Sequence, residues 1–337
     1  MVVAELSANH DGDLERAVAL VHEAAQAGAS VVKLQTYEAG SMTLPSRKAE
    51  FLLPPTSSFS RHKTLWDLYS VGATPREWHS AIFDAAAKVE IPIFSTLFSP
   101  ADIQFLEDLD CPVYKIASPE IGYVQLLDAA ADTQKPIIIS TGTSTYDDLS
   151  HAVERLRSRG VSDLTVLKCT SAYPAPLDQQ NLMTMRDIEE RWSVRVGFSD
   201  HTTSLVSGAA AVALGACVVE KHFSGDLGTG LDGFFSLDSN DFSRYVAGIR
   251  DTEALRGSVD YELSSCALDS RRAMRSLYFK HNLPAGKRVD VNDIAIIRPA
   301  GGLPPGDLDL VVGCELITPV EEGTPVTRDR LRTTDHK

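Results

Sequence analysis

Two histidines end apolar, strand-like runs of this sequence, and carboxylates stand close to both of them. His201 follows the run VRVGFSD, and His222 ends the run VVEKH, which also carries Glu220. Because side chains alternate across a strand, Glu220 and His222 share one face while Lys221 points the other way. Two imidazoles on neighbouring strand ends, with carboxylates nearby, are typical of a divalent-metal site. A pair of hydrogen-bonded core histidines is the alternative that the spacing leaves open.

Two lysines stand inside apolar, strand-like runs, where an unpaired ammonium group is rarely tolerated. Lys33 lies in SVVKLQTY and Lys115 lies in PVYKIAS. Both side chains could bind a phosphate or a carboxylate, and either could instead form a Schiff base with a carbonyl substrate. An internal salt bridge, with Glu5 as an available partner, is the structural alternative.

The elements that must position these residues are apolar runs that alternate with helical patterns. Strand-like runs occupy residues 2–8, 30–37, 91–98, 112–118, 136–141, 164–170, 194–200 and 217–223. Amphipathic stretches such as residues 14–28 and 146–160 lie between them. Strands this apolar, each followed by a helix, indicate a parallel sheet that is covered by helices.

Eight strand–helix units that end near residue 256 predict an α/β fold of the (β/α)8 TIM-barrel type. An open, doubly wound sheet is the alternative, and it predicts a glycine-rich phosphate loop after the first strand. The sequence there reads ELSANHDGD, so the barrel is favoured. In such a barrel the chemistry lies at the C-terminal ends of the strands, where the polar residues of the runs would meet.

The chain divides into three parts by its composition. We predict a catalytic barrel at residues 1–256, a polar linker at 257–272 and a small β-rich domain at 273–337. Pro and Gly punctuate the short strand signals of the last part, as expected for a compact β-rich domain.

Composition and charge restrict the partners of the protein. The chain of 337 residues has a net charge of −14, so we expect no binding to nucleic acid. No apolar run approaches the roughly 20 residues of a membrane helix, and the first strand-like run begins at Val2 without a basic leader. The five cysteines are scattered and form no CxxC pair. These features predict a cytoplasmic protein that binds no membrane.

The strand-end motifs, taken in order, resemble the sialic acid synthase family. They read AELSANHDGDLERA, VVKLQTYEAGSMTL, YKIASPEI, ISTGTST, LKCTSAYPAP, GFSDHT, VVEKHF and GLDGFFSLD. The SANH, LQTY, CTSAYPAP and DGFFSL variants are most similar to the pseudaminic acid branch of that family. RRAMRSLY, IIRPAGGL and VEEGTPV in the tail resemble its C-terminal antifreeze-like (SAF) domain. The resemblance covers nearly the whole chain.

The resemblance implies that phosphoenolpyruvate is condensed with an open-chain amino sugar, with a divalent metal, Mn²⁺ or Mg²⁺, as cofactor. In the pseudaminic acid branch, phosphoenolpyruvate, water and 2,4-diacetamido-2,4,6-trideoxy-altrose give pseudaminate and phosphate. By motif, the metal ligands would be His201 and His222. The catalytic positions would be Glu5, Lys33, Lys115 and Glu220. The substrate-binding positions would be Gln35, Thr96, Ser118, Ser140, Thr141, Tyr173, Ser199, Asp232 and Arg298.

The resemblance also implies a domain-swapped homodimer. Arg298 matches an arginine that the antifreeze-like domain of one subunit inserts into the barrel of its partner.

Two departures from the family pattern stand out. Family members usually carry a segment before the first strand that closes the bottom of the barrel, whereas this sequence reaches that strand directly after Met1. The sialic acid branch often has Asn where this chain has Ser171, which favours a different sugar.

Three other functions remain as alternatives. N-acetylneuraminate or legionaminate synthase would perform the same chemistry on another amino sugar. A Schiff-base aldolase would use Lys33 or Lys115 covalently. A non-catalytic carbohydrate-binding protein is the third, although polar residues at nearly every strand end argue against a mere scaffold.

Overall fold

A computed structural model describes residues 1–226 and 228–333. The chain divides into two compact units, Met1–Gly257 and Ser258–Lys337. Each unit has its own cluster of buried apolar side chains. Within the described ranges, none of the helices combines the length and the apolar character that crossing a bilayer requires.

The first unit contains a closed barrel of eight parallel strands. The strands are β1 (Val2–Glu5), β2 (Val31–Thr36), β3 (Ile93–Leu97), β4 (Tyr114–Ile116), β5 (Ile137–Ser140), β6 (Leu164–Cys169), β7 (Arg195–Asp200) and β8 (Val218–His222). They follow one another around the barrel in sequence order, and β8 closes it by pairing with β1. The predicted barrel is confirmed, and each strand lies within one of the predicted runs.

Helices connect the strands of this barrel, and most of them pack on its outside. They are α1 (Leu14–Gln26), α2 (Ala39–Met42), α3 (Leu65–Gly72), α4 (His79–Lys88), α5 (Ala101–Glu107), α6 (Val124–Asp132), α7 (Tyr146–Ser158), α8 (Thr184–Trp192), α9 (Ser207–Ala213) and α10 (Ser239–Arg256). Helix α7 begins with a capping box, in which the Thr145 hydroxyl accepts from the Asp148 N–H and the Asp148 carboxylate accepts from the Thr145 N–H. After α1 the chain turns at Gly28, whose φ of +91° favours glycine.

The barrel core explains why the strands read as apolar runs. Val3, Val32, Ile116 and Val166 are fully buried, because helices cover one face of each strand and the barrel interior covers the other. Polar side chains enter this core near the C-terminal ends of the strands. The barrel therefore brings the polar side chains that could react or bind a ligand together at one end of the first unit.

The connection from β2 to α4 is long and contains α2 and α3. Within it, the Leu53 N–H donates to the Lys63 carbonyl at 3.2 Å, and Leu52 forms an antiparallel bridge with Thr64. Residues 53–63 therefore form a hairpin-like projection. We call residues 43–72 the roof segment.

The second unit is a small β-rich domain, as predicted. Its elements are α11 (Leu268–Arg271), β9 (Ser276–Phe279), β10 (Ile294–Ile297), α12 (Leu308–Val311), β11 (Glu315–Leu316) and β12 (Leu331–Arg332). Strands β9 and β10 pair antiparallel, and so do β11 and β12. Leu277, Phe279 and Val326 are among its buried core residues. Part of residues 257–272, predicted as a polar linker, is helical, since it holds α11 and a 3-10 turn at Ser265–Ala267.

Candidate active site

A cavity of about 330 Å³ opens among the C-terminal ends of the barrel strands. Most of the residues predicted to form the site line its wall. These are Lys33, Gln35, Thr96, Lys115, Ser118, Ser140, Tyr173, Ser199, His201, Glu220, His222 and Asp232. Glu5 is fully buried beside the cavity, where its carboxylate is ion-paired with Lys33.

Four charged side chains from opposite sides of the barrel form one ion-pair network. Lys33 pairs with Glu5, and its Nζ also lies 3.4 Å from Glu220 Oε2. Lys115 Nζ lies 3.3 Å from the same Glu220 oxygen. The Ser199 hydroxyl donates to Glu220 Oε1 at 2.8 Å. Burial of these charges is tolerated because each has an oppositely charged neighbour.

Burial and neighbouring charges shift the pKa values of these groups in different directions. Burial opposes the charged form of Lys33, but Glu220 and Glu5 outweigh it and raise the pKa of this lysine. For Lys115, burial outweighs the attraction of Glu220, so its pKa is lowered. Burial also opposes the Glu220 carboxylate, yet the ammonium groups of Lys115 and Lys33 lower its pKa, and the group stays ionised. Two ammonium groups held in this way can bind a phosphate or a carboxylate without covalent chemistry.

The two histidines predicted as metal ligands lie side by side, with ring centroids 5.3 Å apart. Nδ1 of His201 lies 3.0 Å from the Thr170 carbonyl oxygen. Since a carbonyl oxygen only accepts, this Nδ1 carries a proton, and Nε2 is the ring nitrogen at which a metal ion would bind. Nδ1 of His222 lies 3.2 Å from Ser7 Oγ.

The hydrogen bonds of Ser7 show that Nδ1 of the second histidine carries a proton. Its hydroxyl donates to Glu5 Oε1 at 2.6 Å and accepts from Gln35 Nε2 at 2.9 Å. Because the single hydroxyl proton goes to Glu5, His222 Nδ1 must be the donor to Ser7. Nε2 of His222 is then the ring nitrogen at which a metal ion would bind. The sequence places Ser7 among the polar residues at the end of the first strand but assigns it no role.

The loop that follows β8 brings Asp232 and Phe235 against His222. Asp232 Oδ2 lies 3.6 Å from His222 Nδ1, and the Phe235 ring centroid lies 4.6 Å from that of His222. The buried side chain of Asn9 holds the loop in place. Its Oδ1 accepts from the Asp232 N–H at 3.0 Å, and its Nδ2 donates to the Phe223 carbonyl at 2.9 Å. Asn9 is thus a positioning residue that sequence reasoning did not assign to the site.

The protein offers a metal ion only part of a coordination shell. Within residues 1–226 and 228–333, no three His, Cys, Asp or Glu side chains are arranged to hold a metal by themselves. His201 and His222 supply two imidazole nitrogens, a ligand type that suits several divalent metals. The hydrogen bonds at both Nδ1 atoms orient these rings, as is usual for metal-bound histidines. The remaining ligands would have to be water or substrate oxygens.

Lys221 takes no part in the cavity, as the alternation of side chains predicts. It is fully buried outside the barrel, where its Nζ lies 3.2 Å from Asp200 Oδ2 and contacts the Thr202 carbonyl. Asp200 also accepts from the Ser207 hydroxyl at 2.5 Å and from the Tyr245 hydroxyl at 2.7 Å. This network joins β7, β8 and α10 next to the two histidines.

Two predicted substrate-binding residues lie elsewhere. Thr141 is not part of the cavity wall, because its hydroxyl accepts from the Cys169 N–H at 3.2 Å and it borders a neighbouring depression. Arg298 is exposed in the second unit, directly after β10. Its predicted role concerns a partner subunit and stays a prediction.

Glu120 is a titratable residue near the site that sequence reasoning missed. It ends a 3-10 turn whose first two residues, Ser118 and Pro119, line the cavity. Burial raises the pKa of Glu120 to about 7. Among the described residues, its Oε2 has no hydrogen-bond partner. The quoted motif YKIASPEI contains this residue, but only the fold shows that it is partly buried.

Comparison with known proteins shows what the chain resembles. Residues 20–261 match the NeuB family, and residues 274–332 match the SAF domain. The pseudaminic acid synthase of Helicobacter pylori is 38% identical over 333 residues, which cover 98% of this chain and 97% of that protein. The N,N'-diacetyllegionaminic acid synthase of Legionella pneumophila is 32% identical over 337 residues, with 98% and 94% covered. The crystal structure of an N-acetylneuraminic acid synthetase from Leptospira borgpetersenii is 25% identical, with a TM-score of 0.70, and the match covers 80% of this chain and 89% of that chain.

These matches agree with the barrel and the SAF domain. Together they define an enzyme of the nonulosonic acid synthase class. The chain belongs to the NeuB family.

Proposed function

We propose that this chain condenses phosphoenolpyruvate with 2,4-diacetamido-2,4,6-trideoxy-altrose and water, giving pseudaminate and phosphate in a metal-dependent reaction. The observation that carries the proposal is that two pairs of side chains with different chemistry line the same cavity. A lysine pair suited to an anion, Lys33 and Lys115, shares the cavity with a histidine pair suited to a metal, His201 and His222. The identity of 38% to a pseudaminic acid synthase supports the choice of sugar.

Phosphoenolpyruvate would bind at the lysine pair. Lys33 and Lys115 supply ammonium groups, and hydroxyl groups of Thr96, Ser118 and Ser140 line the same cavity. Both lysines are ion-paired with Glu220. The raised pKa of Lys33 keeps its amine protonated and therefore not nucleophilic, which favours noncovalent binding over a Schiff base at this residue. Borohydride reduction in the presence of substrates should accordingly trap no covalent adduct.

The carboxylates would serve the carbon–carbon bond-forming step. The enol carbon of phosphoenolpyruvate attacks the aldehyde carbon of the sugar, and positive charge develops at the pyruvyl C2. Glu5 and Glu220 can stabilise that charge, and either can accept a proton from the water that adds to C2. The resulting tetrahedral intermediate collapses, the bond between C2 and the bridging oxygen breaks, and phosphate leaves.

The histidine pair would hold the cofactor, Mn²⁺ or Mg²⁺, through the two Nε2 atoms, because hydrogen bonds engage both Nδ1 atoms. When bound, such a metal polarises a carbonyl oxygen as a Lewis acid. The contribution of the chain is orientation: Thr170 and Ser7 fix the rings, and Asp232 lies beside His222 where a sugar would meet it.

A panel of aldehyde sugars tests the substrate directly. Phosphate release from phosphoenolpyruvate should be fastest with 2,4-diacetamido-2,4,6-trideoxy-altrose. Two competing sugars matter most: N-acetylmannosamine, and the 2,4-diacetamido sugar of the legionaminate reaction, which the 32% identical relative favours. Faster turnover with either of them would replace the proposed sugar and leave the reaction class in place.

We also propose that the protein is cytoplasmic and acts as a domain-swapped homodimer, with Arg298 of one subunit serving the barrel of the other. The resemblance of the IIRPAGGL motif supports this arrangement. Complementation tests it. Inactive His222→Ala and inactive Arg298→Ala proteins, mixed under conditions that exchange subunits, should regain activity, because one barrel of the heterodimer is then intact. Absence of recovery despite proven exchange would rule out the swapped arrangement.

A further inference from the structure

The roof segment reaches across the mouth of the barrel. It leaves the barrel after β2, yet the hydroxyl of Ser58 donates to the carbonyl of Tyr173 at 2.7 Å. Tyr173 follows β6, which stands opposite β2 in the closed order of eight strands. The hydrogen bond therefore ties the roof segment to the far rim of the cavity.

The side of the roof segment that faces the cavity is mostly apolar. Leu53, Phe59, Leu65 and Leu68 line the cavity wall, and none of these side chains can donate or accept a hydrogen bond. Tyr69 of the same segment also lines the wall and carries a hydroxyl group. The neighbouring Leu52 is 45% exposed and is not part of that wall. The cavity therefore has a charged part, which contains the lysines and glutamates, and an apolar part under the roof segment.

A row of aromatic rings connects the histidine pair with this apolar part. The ring centroid of Tyr173 lies 4.4 Å from that of His201 and 6.2 Å from that of Phe59. Phe59 in turn lies 5.6 Å from Phe234, which is 49% exposed at the surface. A sugar whose aldehyde end lies at the histidines can therefore extend its far end past Tyr173 towards Phe59.

We propose that Leu53, Phe59, Leu65 and Leu68 form a subsite for the methyl group at C6 and for the nearby acetamido methyl group of the sugar. The inference rests on the proposed function and specifies which part of the chain selects the sugar. A C6 methyl group gains contact with this wall. A C6 hydroxyl group placed against these four side chains would lose water and find no hydrogen-bond partner among them, which costs free energy.

This subsite makes the roof segment the source of discrimination between 6-deoxy and 6-hydroxy sugars. Apolar pockets reject an added hydroxyl group only moderately, by roughly 10- to 100-fold in kcat/KM. We therefore expect a preference of that order for 2,4-diacetamido-2,4,6-trideoxy-altrose over its 6-hydroxy counterpart. The binding of phosphoenolpyruvate, at the charged part of the cavity, should be independent of the roof segment.

The experiment measures kcat/KM for both sugars and KM for phosphoenolpyruvate in wild-type protein and in three variants. Phe59→Ala and Leu53→Ala change the cavity wall, and Leu52→Ala is the matched control, because it removes the same side chain at the adjacent position outside the wall. In both wall variants the preference for the 6-deoxy sugar should fall severalfold or more, with KM for phosphoenolpyruvate within twofold of wild type. Leu52→Ala should keep the wild-type preference.

Each other outcome has a definite meaning. A wild-type protein that uses both sugars equally well, or wall variants that lose activity towards both sugars in the same proportion, would overturn the subsite and leave the proposed reaction intact. Absence of phosphate release with every sugar would instead overturn the proposed function, and this inference with it. A drop in preference in Leu52→Ala equal to that in Leu53→Ala would also count against the subsite.

Discussion

Lys115 and Glu220 face each other across the barrel, with 3.3 Å between the ammonium nitrogen and Glu220 Oε2. Their strands, β4 and β8, stand opposite each other in the closed order. The same carboxylate oxygen lies 3.4 Å from Lys33. Glu220 thus keeps two buried ammonium groups in one place. This arrangement explains how a chain with a net charge of −14 provides a local site for an anionic substrate.

Lys115 should act mainly on phosphoenolpyruvate. A charge-assisted contact of this kind is worth on the order of 1.5–3 kcal/mol, so Lys115→Ala should raise KM for phosphoenolpyruvate roughly tenfold or more. Steady-state kinetics with each substrate varied in turn measure the effect. Lys135→Ala is the control, because that ammonium group pairs with Glu107 outside the cavity. A changed KM for the sugar, with an unchanged value for phosphoenolpyruvate, would assign Lys115 to the sugar instead.

His222 should be required for metal binding as well as for turnover. His222→Ala removes one of two imidazole nitrogens, and the site lies at the catalytic end of the barrel, away from the elements that stabilise the fold. We expect a near-native circular dichroism spectrum, a loss of high-affinity Mn²⁺ binding by calorimetry and no measurable activity. Full wild-type activity in an excess of chelator would exclude a metal role for the histidine pair.

Lys221 should matter for stability, since it lies in the buried network outside the cavity. Lys221→Met leaves the Asp200 carboxylate buried without its ammonium partner, which typically costs about 3–5 kcal/mol. Urea unfolding should show a loss of this order. The control is Arg191→Ala, which breaks an exposed ion pair with Asp187 and should leave the free energy of unfolding nearly unchanged. Equal losses in both variants would show that burial of the pair is not the cause.

Glu120 should make stability depend on pH in the neutral range. Its pKa rises from 4.5 to about 7 on folding, so the folded state binds this proton more tightly than the unfolded state does. The resulting contribution to stability is complete below pH 4.5 and is lost as pH rises through about 7. Glu120→Gln stays uncharged and should therefore gain stability relative to wild type between pH 5 and pH 8. Thermal unfolding across that range measures the difference.

An exposed carboxylate provides the control for this pH experiment. Glu77→Gln makes the same change at a carboxylate that is exposed to solvent, and it therefore controls for the loss of one negative charge. A difference between Glu120→Gln and wild type that stays constant from pH 5 to pH 8 would show that Glu120 is charged throughout in the folded protein.

The strands and the charged centre of the site could be predicted from the sequence for a simple reason. A lysine or a histidine within an apolar run stands out, as Lys33, Lys115 and His222 do, and the parallel order of the strands brings such residues to one end of the barrel. The role of Ser7 could not be recognised in this way, because a serine is common at strand ends. Its role depends on contacts with His222 and Gln35, which are distant in the sequence, as well as on its bond to Glu5.

The path of the roof segment and the orientation of Thr141 are two features that could not be predicted from the sequence. Residues 43–72 carry no periodic pattern that indicates where the chain crosses the barrel, and only the hydrogen bond from Ser58 to Tyr173 shows it. Thr141 directly follows Ser140, which lines the cavity, yet its hydroxyl is turned to the Cys169 backbone. Adjacent residues of a strand end point in different directions, so a motif alone overstates the number of side chains that reach a substrate.

The central claim is tested most directly by the fate of the bridging oxygen of phosphoenolpyruvate. The protein is incubated with Mn²⁺, 2,4-diacetamido-2,4,6-trideoxy-altrose and phosphoenolpyruvate that carries oxygen-18 between C2 and phosphorus, and both products are analysed by mass spectrometry. Condensation with cleavage of the bond from C2 to oxygen predicts that the label leaves entirely with phosphate, that one phosphate forms per sugar acid, and that none forms without the sugar. Label retained in the pyruvyl product, or phosphate released without the sugar, would contradict the account.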